Sequence, residues 1–91
     1  MDIVINDNKY EVIKNKNNCL DIDLLYEYVT DYFYDYDYIF GDYSYDKLRL
    51  KGFCCDDNIK CNSINNINNL DNYIKDFCSY ECDYFLIKKS S

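Results

Sequence analysis

Apolar and polar positions alternate with changing period along this chain, and each change marks an element. Ile3 and Ile5 share one side of a short β-rich run, and Tyr10 and Val12 share one side of the next. Between them Asn6-Asp7-Asn8-Lys9 carries turn chemistry, so residues 3–5 and 10–13 predict an N-terminal hairpin. After a polar connector at 15–18, Ile22, Leu25, Val29 and Phe33 recur at three- and four-residue steps, the spacing of a helix. Asp21 is its expected N-cap, Asp23 suits the first turn, and the helix is expected to run to about Asp35. Tyr26, Tyr28, Tyr32 and Tyr34 would widen its apolar face.

A period of two returns at 38–43 and 47–53, joined across Ser44-Tyr45-Asp46 as a second hairpin. In its second arm Leu48 and Leu50 point one way while Lys47, Arg49 and Lys51 point the other. Gly41 inside a strand suggests a bulge or a close backbone approach, and Gly52 a bend. Beyond Phe53 the chain turns polar through an Asn-rich stretch with Ile59, Ile64 and Ile67 as its apolar pins, which reads as a surface loop. Asn69 could then cap a short helix with Leu70, Tyr73, Ile74 and Phe77 on one face. Tyr84-Phe85-Leu86-Ile87 is apolar on both sides and predicts an interior strand, with 89–91 as a frayed tail. The order ββαββαβ predicts one α+β domain over residues 1–91, a mainly antiparallel or mixed sheet with two helices, packed most simply on one face.

Composition sharpens this. With 48% apolar and 19% aromatic residues, a 91-residue chain can bury a core. Its wealth of Asn, Asp, Lys, Ile and Tyr is the mark of an AT-rich genome, under which Gly and Arg are disfavoured by their codons. Gly41 and Gly52 are the only glycines and Arg49 the only arginine, so a geometric need at each is expected. Net charge is −7. No Lys or Arg occurs from Asn17 to Asp46, which holds Asp21, Asp23, Glu27, Asp31, Asp35, Asp37, Asp42 and Asp46. Such a surface repels nucleic acid and anionic membrane and attracts a basic partner, or else serves only as a solvated face. The N-terminus lacks a basic region and a long apolar run, and no apolar stretch is long enough to span a bilayer, so the expected compartment is the cytoplasm.

Without an export signal, the six cysteines read as reduced thiols rather than a disulfide framework. Zinc on Cys78-x3-Cys82, completed from Cys54, Cys55 or Cys61, is the sharper alternative. Structural zinc favours paired C-x2-C knuckles, and the chain has no histidine to help, so no cofactor is expected. Catalysis is disfavoured on the same ground, because a general base near neutral pH would need a strongly shifted carboxylate, thiol or lysine. Two glycines cannot build a phosphate-cradling loop.

The coherent candidate surface is the second hairpin: Gly41, Asp42, Tyr43, Tyr45, Lys47, Arg49, Lys51, Gly52 and Phe53. Tyr and Arg are hot-spot residue types, which favours a non-enzymatic protein-interaction or regulatory module whose partner is an unidentified, basic protein. The bland reading pairs Arg49 with Asp42 or another nearby acid as structure. The second class is weak RNA binding by Lys47, Arg49 and Lys51 with flanking aromatics, which the acidic charge disfavours. A zinc or thiol switch comes third. Nothing in the pattern calls for an assembly beyond a monomer or weak dimer.

Asp37-Tyr38-Ile39 followed by Gly41-Asp42, then Tyr45 and Leu48-Arg49-Leu50-Lys51-Gly52-Phe53, resembles the core motif of the YutD-like family, small cytosolic bacterial proteins. Leu70-Asp71 with Tyr73, Cys78-x3-Cys82 and Tyr84-Phe85 is similar to the family's second signature. The resemblance implies an α+β fold and no established activity. Tyr43 stands where the family commonly has tryptophan and Ser44 where it has glycine, so a partner contacting that turn would differ here.

Overall fold

The computed structural model describes residues 2–5, 7–44, 47–55, 66–77 and 83–90. Along the chain run β1 (Asp2–Ile5), β2 (Asn8–Asn15), α1 (Ile22–Tyr28), β3 (Tyr38–Ser44), β4 (Lys47–Phe53), α2 (Leu70–Phe77) and β5 (Tyr84–Lys89). This is the expected ββαββαβ order. Short 3-10 turns at Lys16–Asn18, Asp31–Asp35 and Ile67–Asn69 precede or follow the helices. The strands form one antiparallel sheet in the order β1-β2-β5-β3-β4. The last strand therefore lies at the centre, between the two hairpins, as its two-sided apolar run requires.

Local chemistry explains most boundaries. Asp7 takes a positive φ of 69° in the first turn, a conformation that Asp tolerates. The Asp21 carboxylate accepts from the N–H groups of Asp23 and Leu24, so it caps α1 as expected. The helix stops at Tyr28 instead of reaching Asp35. Val29 and Thr30, both β-branched, are extended, and the chain re-enters a 3-10 turn at Asp31. Buried Leu25 and Val29 carry the inward contact, while Tyr26, Tyr28 and Tyr32 turn outward and do not widen the apolar face. In the second helical region the cap is Asn66, whose side chain accepts from the Asn68 N–H, and Asn69 lies inside the 3-10 turn that feeds α2. Of the expected frayed tail, Lys89 and Ser90 are tied down, since Lys89 N–H donates to Asp37 O and Ser90 N–H to Lys9 O, while Ser91 lies outside the described residues.

The helices lie on opposite faces of the sheet, not on one. Ile39, Phe85 and Ile87 join Ile3, Ile5, Tyr10, Leu25 and Val29 in one core. Phe40 and Leu86, their immediate neighbours along β3 and β5, join Phe53 and Leu70 in a second core. Adjacent strand residues point to opposite faces, so α1 covers the first face and α2 the second. The central strands are apolar on both sides, and a single layer of helices would leave one side in water.

Both glycines meet the geometric need expected of them. A Cβ built on Gly41 would enter the tip of the Phe85 ring, and one on Gly52 the base of the Tyr36 ring. Pairing through Gly41 is regular on both sides, so the reason for glycine there is a close approach and not a bulge. Gly52 sits within β4 opposite Ile39 and makes no bend. Phe85 is fully buried, whereas Tyr36 is half-buried and has solvent on one side to move into. Gly41→Ala should therefore cost about 3 kcal/mol in urea unfolding and Gly52→Ala about 1 kcal/mol, spanning the usual range for overpacking. Equal costs would mean that the Phe85 ring can move as easily as Tyr36.

Candidate binding surface

Register places Asp42 directly opposite Arg49, and the two side chains meet on the α2 face of the sheet. Arg49 Nη2 donates to Asp42 Oδ2 at 2.6 Å and Nε to Oδ1 at 3.1 Å, a two-point contact that fits the planar guanidinium. Asp42 is 1% exposed, while the Arg49 side chain is 47% exposed. The carboxylate is thus a buried anchor and the guanidinium a half-exposed group held in one orientation. This is the structural pairing that competed with a ligand role for Arg49.

The remaining candidates divide between the two faces. Lys47 and Lys51 share the Arg49 face, Lys47 exposed and Lys51 with its ammonium 5.7 Å from the Phe53 ring centroid and 5.5 Å from that of Tyr73. Phe53 itself is buried core. Gly41, Tyr43 and Gly52 lie on the opposite face. The Tyr43 hydroxyl donates to Cys19 O at 2.9 Å, and its ring packs against the α1 core, so Tyr43 is not presented beside Arg49. Tyr45 lies outside the described residues. The structure thus brings together Asp42, Lys47, Arg49 and Lys51, and separates them from the tyrosine expected at their side.

Sequence reasoning places Asp37 in the acidic run and the family motif but not as a tie, whereas its Oδ2 accepts the Cys55 N–H at 2.9 Å and links the chain after β4 to the start of β3. Nor does it single out Lys16, 5.4 Å from the Tyr84 ring centroid beside Asp42. Both depend on register, which no local pattern carries. The exposed tyrosines of α1 and the following turn did leave a signal, since Tyr28 falls off the Ile22–Leu25–Val29 stripe.

The cysteines need one correction. Cys54 is buried and held in a disulfide, not a reduced thiol, which removes it from any zinc set. Cys19 and Cys55 keep their thiols. Cys61, Cys78 and Cys82 lie outside the described residues. Among the described residues no three potential ligands converge on a point, and no helix is long and apolar enough to cross a membrane.

Burial raises the Tyr10, Tyr38 and Tyr43 hydroxyls above the usual tyrosine value of 10.0. Tyr34 adds to the effect at Tyr10, and Cys19, Asp21 and Asp83 add to it at Tyr43. At Tyr38 the nearby Lys88 opposes burial without cancelling it. The Tyr10 hydroxyl is buried with no hydrogen-bond partner among the described residues.

A five-stranded antiparallel sheet with one short helix on each face, and a cross-strand Asp–Arg anchor, defines a small α+β protein. The chain belongs to the YutD-like family: the model of the family described as "Putative antitoxin YutD-like" matches residues 4–88. It is 36% identical over 87 residues to "Putative antitoxin YutD" of Bacillus subtilis (strain 168), covering 96% of each chain. Its fold matches the solution NMR structure of yutD from B. subtilis with a TM-score of 0.81 at 34% identity, over 99% of this chain and 82% of that one.

Removing the guanidinium tests the anchor directly. Arg49→Ala should destabilise the protein by about 2–3 kcal/mol, less than a fully buried pair because half of the Arg49 side chain is already in water. Arg49→Lys should recover little of it, since lysine cannot make the two-point contact. The double variant Asp42→Asn/Arg49→Met should lie closer to wild type than Arg49→Ala does in a urea double-mutant cycle; additive losses would count against the anchor. The raised tyrosines predict a pH dependence: their contribution to stability should be complete below about pH 10 and fall above it. The unfolded tyrosines release protons there while the folded ones hold theirs, so the folded state binds more protons and stability drops as pH rises. Tyr10→Phe should be neutral or stabilising near pH 7 and should shallow the alkaline decline; an unchanged pH profile would remove Tyr10 from it.

Proposed function

We propose that this protein is a non-enzymatic regulatory module of the cytoplasm that acts by binding a protein partner, with the outward face of the β3–β4 hairpin as one contact. The observation that carries this is the Arg49 guanidinium, fixed by the buried Asp42 carboxylate yet half-exposed between Lys47 and Lys51. A pre-ordered arginine loses little freedom on binding, and arginine is a hot-spot residue type. The antitoxin description of the relatives supports a protein that holds a partner rather than one that turns over a substrate. The chain has no histidine, so a general base near neutral pH would have to come from a strongly shifted group.

Lys51 above the Phe53 and Tyr73 rings, with Lys47 on the same face, favours RNA as the second reading. Asp42 neutralises one of the three charges in the stripe. Two net charges released from a single strand would give a salt slope of only about −1.4, a weak hold on a phosphate backbone.

Affinity capture from host lysate, with and without ribonuclease, separates the readings. The expected result is a defined protein retained after ribonuclease and weakened by Lys47→Glu/Lys51→Glu, a variant that leaves the Asp42–Arg49 anchor intact. Recovery of RNA alone would overturn the protein-partner reading. Retention unaffected by the variant would move the contact off the hairpin.

A further inference from the structure

A second surface lies on the opposite side of the sheet, on α1 and the 3-10 turn that follows it. Three tyrosines there are more exposed than any other tyrosine among the described residues: Tyr26 at 50%, Tyr28 at 47% and Tyr32 at 64%. Tyr10, Tyr34, Tyr36, Tyr38, Tyr43, Tyr73 and Tyr84 are all buried or half-buried. A genome that simply favours tyrosine codons would scatter exposed rings over the surface, but these fall within seven consecutive residues. Tyr32 is braced by a 90° edge contact with Phe33 and a hydroxyl contact of 3.2 Å with Tyr36.

The charge that this segment itself contributes has one sign. Asp21, Asp23, Glu27, Asp31 and Asp35 are all exposed, and the sequence places no Lys or Arg between Asn17 and Asp46. Among the described residues Lys89 reaches the segment from another element, its Nζ donating to Tyr34 O at 2.9 Å. Exposed rings set among carboxylates are complementary to one kind of occupant. Its basic groups lie over ring faces and between carboxylates, and its apolar groups cover the ring edges.

We propose that the α1 surface bearing Tyr26, Tyr28 and Tyr32 with Glu27 and Asp31 docks a basic, apolar-faced segment of a protein partner. This rests on the protein-partner reading above and adds to it a second contact of stated chemistry. Solvent-facing carboxylates steer the approach of such a segment, and the tyrosines supply the contact area.

The direct test is an NMR titration of isotope-labelled protein with an amphipathic peptide of leucine and arginine, beside a twin in which glutamate replaces each arginine. Saturable shifts centred on residues 22–36 with the basic peptide, and none with the twin, are expected. Glu27→Lys/Asp31→Asn should weaken binding about tenfold, because it removes two carboxylates that would each pair with a peptide arginine at the surface. Lysine suits the last turn of α1, and both side chains are exposed, so this variant should keep its fold. Tyr26→Ser/Tyr28→Ser should weaken binding by at least as much. Shifts that never saturate, that centre on β3–β4, or that survive both variants would overturn the proposal, as would equal binding of the twin. Concentration-dependent shifts at residues 22–36 without peptide would identify the occupant as a second copy of this chain and overturn it as well. A captured protein that survives both α1 variants would sink this surface and leave the protein-partner reading standing, whereas capture of no protein sinks that reading itself.

Discussion

Neither hairpin of this protein touches the other within the sheet; β5 joins them, and it can do so because Gly41 has no side chain. The tip of the Phe85 ring occupies the space where any other residue at position 41 would place a Cβ. That approach lets β5 pair antiparallel with β3 while its other edge pairs with β2, and alternation along β3 and β5 divides the interior into two cores. The strand that completes the sheet is the last one in the chain. The sheet therefore rests on contacts of long sequence separation, an arrangement that favours slower folding than local pairing would.

The Asp42–Arg49 pair depends on the same register. Asp42 stands between Tyr84 of β5 and Arg49 of β4, so the strand pairing that seats Phe85 on Gly41 also buries the carboxylate one residue away, on the opposite face. A buried carboxylate needs its counter-charge, and the outer strand supplies it in the two-point geometry that only arginine can make. The sole arginine of the chain is accounted for by this requirement. The Arg49 side chain nonetheless stays 47% exposed, so the pair is buried on one side and open to solvent on the other.

The two faces of the sheet carry unlike chemistry. On the α2 side lie Lys16, Lys47, Arg49 and Lys51 beside Tyr84, Phe53 and Tyr73. On the α1 side, exposed tyrosines sit among carboxylates. A net charge of −7 conceals this polarity, since charge acts over about a Debye length and not over the whole molecule.

Sequence alone determined the element order, the Asp21 cap, the alternation that sets Leu48 and Leu50 against Lys47, Arg49 and Lys51, and the interior character of residues 84–87. Each follows from local periodicity or from one residue's hydrogen-bonding chemistry, and the scarcity of glycine and arginine pointed to three positions with a geometric role. Only the tertiary structure decided what those roles are. The rings of Phe85 and Tyr36 come from residues 44 and 16 positions away from the glycines they cover. The break after Tyr28, the outward turn of Tyr26 and Tyr32, and the placing of α1 and α2 on opposite faces likewise depend on which strands became neighbours. Periodicity tells which residues share a side of an element. It does not tell which element will lie against that side, because that choice is made by packing across the sheet.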